Sequence, residues 1–268
     1  MYEVEIICIG NELLSGITLN TNAQWLANQI TKVGGVVKKI IVVGDDTNEI
    51  AIVIRESIKR KPDLIVTCGG LGPTYDDKTL LGVSKGLVKK LKVNELAVAM
   101  ITKSYKHRNL KVKLTGAILK MATIPVHSVP LYNPVGTAPA ILIHVNKLEL
   151  ISLPGVPSEM KMIFEKKILN QVKTKIGTFK IREVNYDVYG ITESMLSETL
   201  TRIVKSYPQY SLYLKTHPQG YTNNVPHMRV QIVSKGTKAN EVNSTLSNVS
   251  KEITRVIKKL KGEIERYR

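Results

Sequence analysis

Two hydrophobic periods alternate through the first seventy residues. Residues 4–9 (Val-Glu-Ile-Ile-Cys-Ile) are a short apolar run closed by Gly10-Asn11, which predicts a strand. After Asn20-Thr21, both N-cap residue types, Trp25, Leu26 and Ile30 share one helical face until Gly34-Gly35. Val36–Val43 reads as a second strand running into Gly44-Asp45-Asp46-Thr47. Ile50, Ile54 and Ile58 mark a helix over 48–59, broken by Lys61-Pro62-Asp63, and Leu64–Thr67 is a third strand. Strand and helix exchanging at such short spacing predict an α/β domain: a mostly parallel sheet with helices on both faces, three layers in all. Ligands on such sheets bind beyond the carboxyl ends of the strands. The segments Gly10-Asn11-Glu12, Gly44-Asp45-Asp46 and Gly69–Asp77 all fall at that edge.

Further along, residues 77–109 read as helix with a hinge near Leu91–Asn94, and 111–122 as another helical stretch. Residues 124–136 are rich in Pro and turns. Ala140–Val145 and Leu148–Leu153 form an expected hairpin across Asn146-Lys147, and Pro154-Gly155-Val156-Pro157-Ser158-Glu159 opens a helix through Phe164. A linker around 173–180 separates an expected first domain, 1–173, from a small α+β domain, 181–268. The latter reads as βαββα: a strand at 182–188, a helix carrying Met195, Leu196, Leu200 and Ile203, strands at 210–215 and 227–233 joined by a loop His217–Gly220, and an amphipathic helix over 240–260.

The densest chemistry lies between Thr67 and Thr79: Thr-Cys-Gly-Gly-Leu-Gly-Pro-Thr-Tyr-Asp-Asp-Lys-Thr. Three glycines let the main chain approach a ligand closely, and amides of the loop and of the helix start point into one concavity that favours an anion. Asp76 and Asp77 at the rim suit a phosphate accompanied by a divalent metal better than a bare one. A tight turn with Asp as N-cap uses the same residues.

Composition narrows the classes. Hydrophobic residues make up 43% and charged residues 23% of 268, an ordinary globular balance with no apolar run near the ~20 residues of a membrane span. No basic leader precedes the first strand, so a cytoplasmic location is expected. Cys8 and Cys68 end predicted buried strands and are expected as free thiols. The net charge of +17 raises a nucleic-acid reading, but residues 171–268 hold 17 Lys and Arg against 8 Asp and Glu, and the excess is spread over both parts of the chain. Aromatics at 5% supply few stacking platforms, so nucleic acid is not the expected partner. His107, His127, His144, His217 and His227 have no metal-ligand spacing, and neither a Gly-x-Ser-x-Gly elbow nor a Walker lysine occurs.

Four blocks in order resemble the molybdopterin-binding domain family of MoaB, MogA, MoeA and gephyrin, in its CinA branch. They are Gly10-Asn11-Glu12-Leu13-Leu14 with Asn20-Thr21-Asn22; Thr67–Thr79; Asn133-Pro134-Val135-Gly136-Thr137-Ala138-Pro139; and Leu153-Pro154-Gly155-Val156-Pro157-Ser158-Glu159-Met160. Leu71 and Pro73 stand where the molybdopterin-handling relatives usually carry Ser, which favours CinA. Gly190-Ile191-Thr192-Glu193-Ser194 resembles the start of the KH-type domain that follows in CinA proteins. A Gly-x-x-Gly clamp is missing from that part, so a structural or dimer-forming unit is expected there. The amidase domain common in bacterial CinA proteins has no counterpart before Arg268, and that activity is not carried over.

The resemblance implies a MoaB/MogA-like fold and a metal-dependent pyrophosphatase that splits ADP-ribose into AMP and ribose 5-phosphate. The alternative on the same scaffold is a molybdopterin-binding protein without that activity. The loop Gly69-Gly70-Leu71-Gly72-Pro73-Thr74 would cradle the diphosphate. Asp76, Asp77 and Asp45 would hold one or two divalent ions, magnesium, manganese or cobalt, with Asp76, Asp77 and Glu12 as the catalytic group. Asn11 would orient a ribose hydroxyl, while Asn133, Gly136, Thr137, Ser158 and Glu159 close over the nucleoside end. The plainer roles are a solvated turn for Asp45-Asp46 and helix-start capping for Glu12 and for Ser158-Glu159. A phosphorylated nucleotide is the expected partner and a homodimer the expected assembly.

Overall fold

The computed structural model describes residues 2–109, 115–208 and 211–267 of the chain. The chain divides into two compact units, Met1–Ile176 and Gly177–Arg268. The first runs β1 (Glu3–Ile9), α1 (Asn11–Leu14), α2 (Thr21–Lys32), β2 (Val36–Val43), α3 (Thr47–Arg60), β3 (Leu64–Cys68), α4 (Thr79–Leu87), β4 (Leu91–Val93), α5 (Glu95–His107) and α6 (Gly116–Ala122). It continues through β5 (Thr123–Pro125), β6 (Ser128–Leu131), β7 (Ala140–Val145), β8 (Leu148–Leu153), α7 (Pro157–Ile163), a π-helical turn (Phe164–Ile168) and α8 (Leu169–Ile176). The main sheet has the order β2-β1-β3-β8-β7-β6. The first four strands are parallel, and β7 and β6 return antiparallel.

Strand alternation sorts the side chains into two cores. Val4, Ile6 and Cys8 of β1 meet Leu26 and Ile30 of α2 and Met160, Phe164 and Ile168 of the last helix. Trp25 packs edge-on against Phe164 at 5.8 Å. Ile7 and Ile9 face the other way, onto Ile50 and Ile54 of α3 and Val83 of α4. Glu5 points to this second side and is only 2% exposed. Arg60 of α3 grips it with two bonds, Nε to Oε1 at 2.7 Å and Nη2 to Oε2 at 2.8 Å, and the Ser57 hydroxyl donates to Oε2. Burial alone would raise the Glu5 carboxyl, but the Arg60 and Ser57 bonds outweigh it and hold the group below its ordinary range.

The second unit runs β9 (Lys180–Tyr189), α9 (Glu193–Lys205), β10 (Leu212–Thr222), β11 (Val225–Gly236), α10 (Ala239–Lys259) and β12 (Glu263–Arg266). Its sheet, β10-β11-β9-β12, is antiparallel throughout. That order is the split βαβ arrangement of ferredoxin-like folds. Leu196 and Ile203 of α9 and Val249, Ile253 and Ile257 of α10 cover one face of it.

Four expectations are corrected. The hinge at 91–94 is a strand, because Leu91–Val93 finds an antiparallel partner in Thr123–Pro125. Asn94 then caps α5 by accepting from the Ala97 amide at 3.0 Å. The helix expected to end at Phe164 passes through the π turn to Ile176, and β9 begins at Lys180, so elements fill most of the expected linker. His217–Gly220 is part of β10, with a register shift there, and the reversal occurs at Asn223-Asn224, both in the left-handed region. The βαββα reading was one strand short, since β12 closes the sheet. Residues 111–114 and Tyr210 of the expected elements lie outside the described residues. Among the described residues no helix is long and apolar enough to cross a membrane.

Candidate active site

Every loop expected to carry chemistry leaves or enters the sheet at one edge: β1, β2, β3, β6 and β8 end there, and β7 begins there. Gly69 makes the first close approach. Its φ is +111°, and a Cβ would sit 2.2 Å from the Ile9 carbonyl oxygen, so only glycine lets the loop lie against the end of β1. Thr79 ties the loop down, its hydroxyl donating to the Gly69 carbonyl at 2.7 Å and its amide to Gly70 at 3.2 Å. Leu71 is buried among Ala97, Ile101, Ile118, Met121 and Ala138, so it anchors the loop and leaves its backbone to a ligand.

Asp76 and Asp77 do not open α4. That helix starts at Thr79 after Lys78, with no side-chain cap. Asp77 instead accepts from the Thr74 amide at 2.8 Å and lies 2.6 Å from the Thr74 hydroxyl, which is also bonded to Asp76 Oδ1. One hydroxyl proton thus faces two carboxylates, an excess of anionic oxygen that a cation would balance. The Thr74 hydroxyl and then the backbone amide of Asp76 hold the Asp76 carboxyl below its ordinary range, with Lys120 and Lys78 adding to the effect. Lys120 also donates to the Thr74 carbonyl.

A cavity of about 420 Å³ opens beside Asp77. The glycine loop Gly70–Pro73, Tyr105, Met121, Thr137 and the turn Pro154–Val156 with Glu159 bound it. Its size is that of a small-molecule site. Glu12 is not part of it. It lines a separate cleft of about 100 Å³ with Asn22, Cys68 and Gly69. Gly155 borders both, with Gly69 so near that a Cβ on Gly155 would lie 3.3 Å from the Gly69 Cα. Of the expected catalytic group, Asp77 lines the first cavity and Glu12 the second, while Asp76 lines neither.

Asn133 is only 1% exposed and uses all four of its hydrogen-bonding positions. Its oxygen accepts from the Val135 and Gly136 amides at 3.2 and 2.7 Å, and its nitrogen donates to the Ala138 carbonyl at 2.9 Å and to Glu159 Oε2 at 2.7 Å. Asn133 therefore shapes the wall and positions Glu159, with no capacity left for substrate. Gly136 is required for this: a Cβ there would be 2.0 Å from Glu159 Oε2. Asn133→Ala should lower the unfolding free energy by about 2 kcal/mol, since it orphans buried partners; urea denaturation would measure the loss.

Asn11 and Asp45 are bound to each other, Asn11 amide to Asp45 Oδ2 at 2.9 Å and Asp45 amide to Asn11 Oδ1 at 3.2 Å. They join the exits of β1 and β2, and Asp45 is not among the residues lining the cavity beside Asp77. Asp46 caps α3, accepting from the Asn48 and Glu49 amides. Ser158 stands exposed in the first turn of α7, whose N-cap, Val156, has no side-chain bond. Among the described residues no three His, Cys, Asp or Glu side chains gather as a metal site. Cys8 and Cys68 are free and buried, and burial pushes both thiols up.

Sequence reasoning missed Tyr105, Arg108 and Lys120. Arg108 straps the Val135–Thr137 wall, with Nη1 3.2 Å from the Thr137 hydroxyl and Nη2 bonded to the Val135 carbonyl. These residues sit at or near the ends of ordinary amphipathic helices, and no local pattern ties them to loops up to 46 residues away.

Residues 5–174 match the family described as probable molybdopterin binding domain. A protein of Metallosphaera sedula is 38% identical over 266 residues, 99% of this chain and 98% of its own length. One of Saccharolobus solfataricus is 38% identical over 260 residues, 97% of this chain and 93% of its own. Among solved structures, the CinA protein of Thermoplasma acidophilum, described as of unknown function, is 40% identical with a TM-score of 0.59, covering 66% of this chain and 98% of that one. The match spans the three-layer unit together with all of its edge loops, and the chain belongs to the family of probable molybdopterin-binding domains.

Proposed function

We propose that the first unit is a metal-dependent pyrophosphatase that hydrolyses ADP-ribose to AMP and ribose 5-phosphate. The observation that carries the reading is the pair Asp76 and Asp77 converging on one Thr74 hydroxyl, with Asp77 lining the 420 Å³ cavity. Asp76 and Asp77 would hold a divalent ion, with diphosphate oxygens and water completing its ligands, as is usual where phosphate and metal share a site. When bound, that ion would neutralise the diphosphate oxygens. The amides of Gly70, Leu71 and Gly72 would bind the diphosphate, since Pro73 has no N–H and the Gly69 and Thr74 amides are bonded to Leu153 and Asp77, and Lys120 and Arg108 would add positive charge around it. In the reaction a water oxygen forms a bond to one phosphorus, the bridging P–O bond breaks, and the second phosphate departs with the bridging oxygen. Asp77 and Glu159 are the carboxylates that line the cavity; Asn133 holds Glu159 in the wall, and Asp77 would position the attacking water and take its proton.

The test is product analysis of purified protein with ADP-ribose and magnesium, manganese or cobalt. AMP and ribose 5-phosphate in equal amounts, abolished by EDTA and restored by the metal, is the expected result. No turnover with any of the three, in protein shown to be folded, would remove the proposal. The family match favours a second reading, a molybdopterin-binding protein that uses the same loop for the pterin phosphate and hydrolyses nothing. Stoichiometric retention of molybdopterin without ADP-ribose turnover would establish it.

A further inference from the structure

The second unit carries a cavity of its own. It is an open cleft of about 680 Å³ between α10 and the strands β9 and β12. It exists because β12 is short. β12 pairs with Tyr186–Tyr189 only, so on that side β9 has no neighbouring strand over Lys180–Val184, among the described residues. Val184, Tyr186 and Leu246 form an apolar floor, and the Ser250 and Thr254 hydroxyls border it.

Four cations surround the floor: Lys251, Arg255 and Lys258 from α10, and Arg266 from β12. No carboxylate lines the cleft, and none of the four pairs with one among the described residues. The nearby acids are engaged elsewhere, Glu252 with Arg202 at 3.2 Å and Asp187 with Arg229 at 3.1 Å. Glu265 alternates with Arg266 on β12 and faces the other side of the sheet. Cations in a last helical turn are favoured by the helix dipole. That accounts for Lys258 but not for Lys251 and Arg255, which precede the last turn, nor for Arg266, which comes from another element. Lys251–Arg255 and Arg255–Lys258 are like-charge pairs at four- and three-residue spacing, an arrangement that costs stability until an anion relieves it.

We propose that this cleft binds a free nucleoside polyphosphate, with its base on the Tyr186 floor and its phosphates on the four cations. The three helical cations span about 10 Å, the scale of one phosphate chain with its sugar rather than of a long strand. A single aromatic is a platform for one base, where strand-binding grooves use several. The proposal does not depend on the reading of the first unit.

The experiment is calorimetric titration of the full chain with ATP in EDTA, beside tripolyphosphate and a twelve-residue oligo-dT. Two double variants keep the net charge equal: Arg255→Glu/Lys258→Glu in the cleft and Lys90→Glu/Lys92→Glu in the first unit. All four positions are exposed, and a thermal melt verifies folding. One ATP per chain is expected, bound at least tenfold more weakly by the cleft variant and unchanged in the control. ATP is also expected to bind more tightly than tripolyphosphate. No saturable binding, or equal weakening in both variants, would overturn the site. Equal affinity for tripolyphosphate would overturn its nucleoside part. Oligo-dT binding tenfold tighter than ATP, with the same dependence on Arg255 and Lys258, would replace it with a nucleic-acid strand.

Discussion

Asp77→Asn is expected to reduce ADP-ribose turnover by a factor on the order of 10² to 10⁴, the usual contribution of a positioned general base. The substitution is a fine probe because it changes charge and little else. An asparagine oxygen can still accept from the Thr74 amide, which Asp77 does at 2.8 Å, so the loop keeps its shape. What is lost is one of the two carboxylates that meet at the Thr74 hydroxyl, and with it both the proposed base and half of the proposed cation's anchor. The variant should therefore melt close to the wild type while kcat falls and the metal concentration for half-maximal rate rises. Turnover within threefold of wild type would show that Asp77 is a loop-shaping residue, as Asn133 is, and would move the chemistry to another group.

Arg60→Ala should destabilise the first unit by about 3 kcal/mol at neutral pH. Breaking a buried ion pair by removing one partner costs roughly 3–5 kcal/mol, and the lower end applies because the Arg60 side chain keeps 29% exposure. The pH dependence distinguishes this from simple loss of packing. In the wild type the Glu5 carboxyl is held below its ordinary value, so its contribution is present above about pH 4.3 and is lost as the pH falls through the lowered value. Without Arg60 the buried carboxyl rises instead. Its protonated form is then the favoured one, and stability is lost as the pH increases. Urea unfolding at pH 7 and pH 4.5 should show a smaller difference between variant and wild type at the lower pH. Adding Glu5→Gln to Arg60→Ala should recover much of the loss at pH 7. A pH-independent deficit would mean that the Arg60 stem, not its charge, matters.

The elements whose periods are local were legible in the order of residues alone. The apolar runs ending at Ile9, Val43 and Thr67, the stripe Ile50, Ile54, Ile58 and the glycines after β3 follow from side-chain spacing and backbone freedom, and they suffice for a three-layer sheet with its loops at one edge. Glycine was legible for the same reason: a residue with no Cβ signals a close approach before its partner is known. What each polar side chain does emerged with the folded chain, because a carboxylate or amide takes its role from the partner nearest to it. Asp45 turned to the Asn11 amide, Glu12 to another cleft, and Asn133 to four internal bonds. Arg108 and Lys120 reached the loops from helices whose sequences carry no sign of it. Short strands were decided there too. Leu91–Val93 and Glu263–Arg266 are too brief to declare themselves, and each exists through hydrogen bonds to a distant segment that only the folded chain brings alongside.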